Sequence, residues 1–181
     1  MQEEIRRDQI VGSRRFSNYF WSVFLGLGGL GFFLAGISSY FRINFLPFTD
    51  AKELIFIPQG IVMMFYGTLS ISICLYITLT VLWDIGSGYN EYNKIENLVK
   101  IVRKGFPGKN REIFLTYPLT SIQAIGIKIS EGLNPTRALY LCLKDERKIP
   151  LTPVQQPISI SNLENEASDL AQFLDLKLEN L

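Results

Sequence analysis

The sequence predicts an α+β membrane protein: a two-helix transmembrane hairpin, then a small antiparallel β domain closed by a C-terminal amphipathic helix. Three observations lead there. Charge is unevenly spread: of 18 basic and 17 acidic side chains, 11 fall in residues 1–83 and 24 in residues 84–181. Two long stretches of the front part carry no charge at all. Short strand-like runs separated by turn signals fill most of the back part. This divides the chain into an N-terminal tail (residues 1–18), a hairpin (19–83) and a soluble domain (84–181).

No charged residue lies between Arg15 and Arg42, and residues 20–41 are apolar enough to cross a bilayer, which takes roughly 20 residues. A second charge-free stretch runs over 54–83, where Pro58 places the helix at about 60–82. Tyr19, Trp21, Tyr40 and Trp83 sit at the span ends, where amphipathic rings prefer the membrane interface. The Arg42 flank has neither the short apolar core nor the small-residue site of a cleaved signal peptide. Basic residues set the orientation. Arg6, Arg7, Arg14 and Arg15 precede the first span, and Lys94, Lys100, Arg103 and Lys104 follow the second. The connecting loop has only Arg42 and Lys52, offset by Asp50 and Glu53. Both termini are therefore expected on the cytoplasm-equivalent side.

Neither span contains an interior ionisable residue, so neither offers a proton or ion path. Both carry small residues at helical spacing: Gly28, Gly31, Ala35 and Ser39 in the first, Gly67, Ser70, Cys74 and Thr78 in the second. Small residues let helix backbones approach in lipid. The stripes either pack the two helices together or dock a partner's helix.

After Trp83 the Gly/Ser-rich string Asp84-Ile85-Gly86-Ser87-Gly88 leads into strand-like segments at 89–94, 97–103, 112–117, 121–130, 137–144 and 148–152. Gly105-Phe106-Pro107-Gly108-Lys109-Asn110 reads as a turn. Pro150, Pro153 and Pro157 mark a stiff connector. A helix over 161–178 is expected to open with a capping box, Ser161 to Glu164, and to pack Leu163, Ala167, Leu170, Leu174 and Leu178 on the sheet. A strand meander closed by one helix has the element order of a pleckstrin-homology-like barrel, a likeness that assigns no function.

Composition removes most chemistries. With no histidine there is no Ser–His or Cys–His couple and no imidazole ligand. Cys74 and Cys142 stand alone in unlike surroundings, give no zinc site and argue against a disulfide framework. Ser87, Ser121 and Tyr117 offer hydroxyls without a base. No catalytic residue, cofactor or metal is expected. A net charge of +1 makes no general case for nucleic acid.

Two charge clusters remain. Lys100, Arg103, Lys104, Lys109 and Arg111 form a basic hairpin without an acid among them, and Glu164, Glu166, Asp169, Asp175 and Glu179 an acidic C-terminal segment. Arg103, Lys104, Glu164 and Glu166 are the candidate partner-binding residues. Glu164 is also explained by its cap, and Glu166 is expected to point outward. The same basic hairpin suits anionic lipid headgroups, and solvated or mutually paired faces stay open as readings.

Several strings are distinctive: Phe56-Ile57-Pro58-Gln59-Gly60-Ile61-Val62-Met63-Met64-Phe65-Tyr66-Gly67, Trp83-Asp84-Ile85-Gly86-Ser87-Gly88-Tyr89-Asn90, Val102-Arg103-Lys104-Gly105-Phe106-Pro107-Gly108, and Arg14-Arg15-Phe16-Ser17-Asn18-Tyr19-Phe20-Trp21. With them the chain resembles, nearly end to end, the photosystem I assembly protein family of plastids and cyanobacteria (the conserved hypothetical chloroplast reading frame four family). The resemblance implies a thylakoid membrane protein with a stromal soluble domain. It would act as a non-catalytic scaffold for newly made photosystem I core subunits and assembly intermediates, in contact with thylakoid lipids. A homo-oligomer stays open. The other readings are a membrane-anchored, lipid-headgroup-binding module and an enzyme of unrecognised type.

Overall fold

A computed structural model describes residues 4–47, 50–130, 136–152 and 159–181. The chain forms two compact units. One is Gly12–Ile85; the other joins the residues up to Val11 with Gly86–Leu181.

The first unit is an antiparallel pair of helices, α1 (Phe16–Phe41) and α2 (Ile61–Trp83). α1 has 26 residues, roughly 39 Å at 1.5 Å per residue. No side chain caps it at Arg15; instead the Asn18 amide donates to Ser13 O at 2.7 Å. It stops where Arg42 turns left-handed (φ 57°), and α2 stops the same way at Asp84 (φ 51°), whose N–H reaches Thr80 and Val81 carbonyls. One π-type turn, Phe56–Gly60, precedes α2. Both helices are long and apolar enough to cross a membrane, and only 17% and 11% of their apolar windows are buried. A core helix of a water-soluble domain would be mostly covered.

The helices meet through small and hydroxyl-bearing residues. A Cβ added to Gly67 would lie 2.5 Å from Phe33 N and 2.9 Å from Gly29 O, and one on Gly36 would strike Met64. Ser70 Oγ donates to Leu25 O at 2.9 Å, the Cys74 thiol to Ser22 O at 3.1 Å, and Ser22 shares a 2.7 Å hydrogen bond with Thr78. The α2 stripe expected from spacing thus lies in the seam; Ala35 and Ser39 are buried, and Ser39 Oγ donates to Leu54 O, ahead of α2, at 2.8 Å. Gly28 and Gly31 lie off the seam: a Cβ on either would meet open space. The seam of α1 runs through Ser22, Gly29 and Gly36 instead. At about 100° per residue, a one- or two-residue error in choosing the stripe turns it off the seam.

Among the described residues the second unit holds two four-stranded sheets. Sheet one is β1 (Ile5–Ile10), β2 (Gly88–Asn93), β3 (Leu98–Lys104) and β4 (Glu112–Pro118) in that spatial order, all antiparallel. Sheet two is ordered β7 (Lys148–Pro150), β6 (Thr136–Leu143), β5 (Ile122–Ser130) and β8 (Lys177–Asn180), with β8 parallel to β5. Helix α3 (Ile160–Leu174) packs on β5 and β6. Tyr92, Val99 and Ile101 of sheet one meet Ile125, Ile127, Leu139 and Leu141 of sheet two and Leu163, Ala167 and Leu170 of α3 in one core. Each fully buried leucine or isoleucine there contributes about 1.5–3 kcal/mol. Gly88 has no room for a side chain, because a Cβ would collide with the Val102 carbonyl across β3.

The domain departs from the expected element order at both ends. The N-terminal tail supplies β1, six residues paired with β2 from Ile5↔Asn93 to Ile10↔Gly88. The C-terminal helix ends at Leu174, where Asp175 turns left-handed (φ 55°), so Leu178 belongs to β8 and not to the helix stripe. The capping box at Ser161 and Glu164 does not form either. Ser159 is the cap, accepting from Asn162 N–H at 3.3 Å, which places Ser161 inside the first turn. Pro153 and Pro157 of the connector lie outside the described residues.

Candidate interaction surfaces

Among the described residues no three metal-ligating side chains cluster, and both cysteines are free thiols. Burial pushes the Cys142 thiol above its usual range, which works against a nucleophilic role.

The β3 residues alternate between two jobs. Lys100 and Arg7 flank Glu91 as cross-strand neighbours on β3, β1 and β2. Arg7 hydrogen-bonds the Glu91 carboxylate and lies over the Tyr89 ring, 4.4 Å from its centroid. Lys100 Nζ stands 3.5 Å from Glu91 and 2.8 Å from Glu96. The Arg7 hydrogen bond holds Glu91 below the usual carboxylate range, and Glu96 holds Lys100 above its usual value. Glu91 is buried beneath this ion chain.

Arg103 turns the other way, into the domain. Its guanidinium donates to Asn90 Oδ1 at 2.8 Å, Leu151 O at 3.0 Å and Val102 O at 2.8 Å; Asn90 Nδ2 also donates to Leu151 O, at 3.0 Å. Burial lowers its pKa. A residue counted as part of an outward basic patch is thus a clamp between sheet one and the strand β7 side of sheet two. Arginine suits this place because its planar fork satisfies several acceptors at once. With Lys100 in ion pairs and Arg103 turned inward, the outward basic cluster shrinks to half-buried Lys104, exposed Lys109 and exposed Arg111.

The acidic segment also divides. Glu164 is exposed on α3. Glu166, expected to point outward, is half-buried toward Asp8 and Arg6 of β1; burial, then the Asp8 charge, raises its pKa. The apolar stripe alone could not reveal this, because β1 was not visible as a strand. Asp175 pairs with Lys94 at 3.1 Å at the exposed end of the helix.

The sequence predicts β4 as a strand; its exposure is a finding of the structure. It is the outer strand of sheet one, and its residues are exposed on both faces except half-buried Tyr117. Ile113 is 52% exposed, Phe114 63% and Leu115 38%, with Phe106 in the preceding turn at 53%. The signal was present: three consecutive apolar residues break the alternation that a half-buried strand requires.

A family model described as Ycf4 matches residues 3–172 of the chain. The chain is 80% identical over 181 residues to the photosystem I assembly protein Ycf4 of Trieres chinensis, covering all of both chains. It is 75% identical to the protein of that name from Phaeodactylum tricornutum, again over the whole of both. With the one from the cyanobacterium Trichodesmium erythraeum it shares 50% over 179 residues, 99% of this chain and 96% of the relative. Both hydrophobic helices and nearly all of the two-sheet unit fall within the matched region, and on these matches the chain belongs to the Ycf4 family.

Proposed function

We propose that this protein is a non-catalytic scaffold of the thylakoid membrane that assists assembly of photosystem I by binding newly made core subunits and assembly intermediates. The observation that carries this reading is nearly end-to-end identity, 80% with the Trieres chinensis relative and 50% with the Trichodesmium erythraeum one, both described as photosystem I assembly proteins. The helix pair is the membrane anchor in this reading, and its largely uncovered apolar flanks support it.

Chain geometry supports a common side for both termini. β1, just before α1, pairs with β2, just after α2, and Ser13 N–H donates to Ile85 O at 2.8 Å. The start of α1 and the end of α2 are thereby adjacent. The basic flanks assign that side to the stroma, or to the cytoplasm in a cyanobacterium. Lys104 and Glu164 act as partner contacts in this scaffold. Arg103 and Glu166 act as positioning residues that keep the sheets and β1 in place. Contact rather than turnover does the work, which fits a chain without histidine.

The test is affinity capture of the tagged full chain from gently solubilised thylakoids, with mass spectrometry. Photosystem I core polypeptides should be recovered at newly synthesised, pulse-labelled specific activity. Capture without them, or an unchanged photosystem I level in a strain lacking the protein, refutes the reading.

A further inference from the structure

We propose that the outer edge of β4 is a strand-addition site for an extended apolar segment of a partner protein, with the partner's acidic residues lying beside the β3–β4 turn. The backbone pattern identifies the free groups. Gly105 N–H donates to Arg111 O at 2.6 Å, and Leu119 N–H to Asn97 O at 2.8 Å, which fixes the hydrogen-bonded pairs between the two strands. With the register Val102↔Phe114, Arg103↔Ile113 and Lys104↔Glu112, β3 is bonded through Ile113, Leu115 and Tyr117. The N–H and C=O groups of Glu112, Phe114 and Thr116 therefore point away from β3, to the side where, among the described residues, sheet one has no further strand.

An open apolar edge is what sheets ordinarily avoid. They use inward charges, lysines, proline or short length to prevent pairing with other chains. β4 has seven residues, no lysine, and its proline only at the last position, Pro118. Its apolar side chains are exposed on both faces, so an added strand would bury side-chain surface as well as satisfy backbone groups. Strand addition works in that way: main-chain bonds supply affinity and side-chain contacts supply selectivity. Charge chooses the occupant. Lys104, at the end of β3, and exposed Lys109, in the turn, lie at the turn end of the edge, so an incoming strand with acidic residues at that end is favoured and a basic one is repelled. This inference rests on the assembly reading.

The experiment uses the full chain in phosphatidylcholine nanodiscs. The probe is a fluorescein-labelled synthetic peptide of alternating valine and threonine with two aspartates at one end, followed by fluorescence anisotropy. Saturable binding is expected. It should weaken about tenfold or more when alternate peptide nitrogens are methylated, a change that leaves the protein untouched. It should weaken comparably in Ile113→Thr/Phe114→Thr, which keeps strand propensity, and in Lys104→Glu/Lys109→Glu. No saturable binding, or binding indifferent to N-methylation, overturns the proposal. So does a mass measurement showing that the Ile113→Thr/Phe114→Thr change dissolves a dimer, since the edge then belongs to a second copy. Finally, if the hairpin substitutions abolish association with anionic vesicles and leave the peptide unaffected, the surface is a lipid contact and the proposal falls. A chain that ignores the peptide but still captures photosystem I polypeptides loses the edge proposal and keeps the assembly reading.

Discussion

The helix seam makes a sharp contrast between two glycines of the same hairpin. Replacing glycine by alanine in a helix gains about 1 kcal/mol of intrinsic propensity. At Gly31 nothing stands within 4 Å of the new methyl group, so only that gain applies. At Gly67 the methyl group would lie 2.5 Å from Phe33 N, 2.8 Å from Phe33 Cα and 2.9 Å from Gly29 O. All three are backbone atoms of α1 and cannot swing aside. The helices must separate locally by most of an ångström, which forfeits about a quarter to a half of each nearby dispersion contact. The same shift stretches the Ser70–Leu25 bond of 2.9 Å. Such interhelical bonds contribute about 0.6 kcal/mol each in membrane proteins. Overpacking typically costs about 1–3 kcal/mol. The net expectation is a loss of about 2 kcal/mol for Gly67→Ala and a gain of up to about 1 kcal/mol for Gly31→Ala, a difference of roughly a hundredfold in the unfolding equilibrium. The assay is titration of the full chain in mixed micelles with sodium dodecyl sulfate, read by tryptophan fluorescence. Both tryptophans, Trp21 and Trp83, lie on the two helices. If Gly67→Ala unfolds at the same detergent fraction as Gly31→Ala, the packing described for this seam is wrong.

Other expectations follow from the two-sheet unit. Arg103→Met should lower the midpoint of thermal unfolding, because Asn90 Oδ1 loses a 2.8 Å donor in a buried place, a loss of about 1–3 kcal/mol; Lys104→Met should change it little. Ser159→Ala should cost about 1 kcal/mol as a lost cap, whereas Ser161→Ala and Glu164→Ala should leave stability unchanged by the same melting assay. A weakened complex in Glu164→Ala would then report contact rather than folding. Two carboxylates should give opposite pH dependence. Glu166 has a raised folded-state pKa, so its charged form opposes folding once the pH exceeds the unfolded value, and Glu166→Gln should stabilise at pH 7.5 with the gain fading as the pH falls toward 4.5. Glu91 has a lowered pKa, so its stabilisation is complete above the unfolded value and is lost as the pH falls through the folded one; Glu91→Gln should destabilise at pH 7.5 and converge with the parent in acid.

The hairpin was legible because its cause is local. A charge-free run of about twenty residues has few soluble alternatives, and both helices appear within a few residues of their expected limits. Strands β2 to β6 were legible for a similar reason, their alternation and turn residues being written into short windows. What stayed hidden depends on partners distant in sequence. Ile5-Arg6-Arg7-Asp8-Gln9-Ile10 has no hydrophobic alternation of its own; it becomes a strand because Glu91 and Tyr89 of β2 receive Arg7. Arg103 and Glu166 look like surface charges in sequence, and only the fold brings Asn90 and Leu151 to one and Asp8 to the other. Leu178 continued the i, i+4 spacing of α3, yet a left-handed Asp175 returns the chain beside β5.

The most consequential of these hidden elements is β1, because it is made first and paired late. Its partner begins at Gly88, so sheet one cannot close until both apolar helices have been synthesised. Pairing across such a separation carries a larger loop-closure cost than the neighbouring β2–β3 and β3–β4 hairpins, which bring together residues 5 to 20 positions apart. Once α1 and α2 have paired, Ser13 and Ile85 are already hydrogen-bonded, so the helix hairpin shortens the effective loop that β1 must close. Folding of the two-sheet unit is thus expected to be coupled to pairing of the helices through chain connectivity alone. A variant lacking residues 4–10 should retain the helix pair yet expose the β2 edge and leave buried Glu91 without Arg7. Proteolysis should then cut it within the soluble unit at concentrations that leave the parent intact. Gly67→Ala should show a milder form of the same sensitivity although its substitution lies in the other unit. Equal protease resistance of Gly67→Ala and the parent, in a micelle where its helices have separated, would show that β1 closes without help from the hairpin.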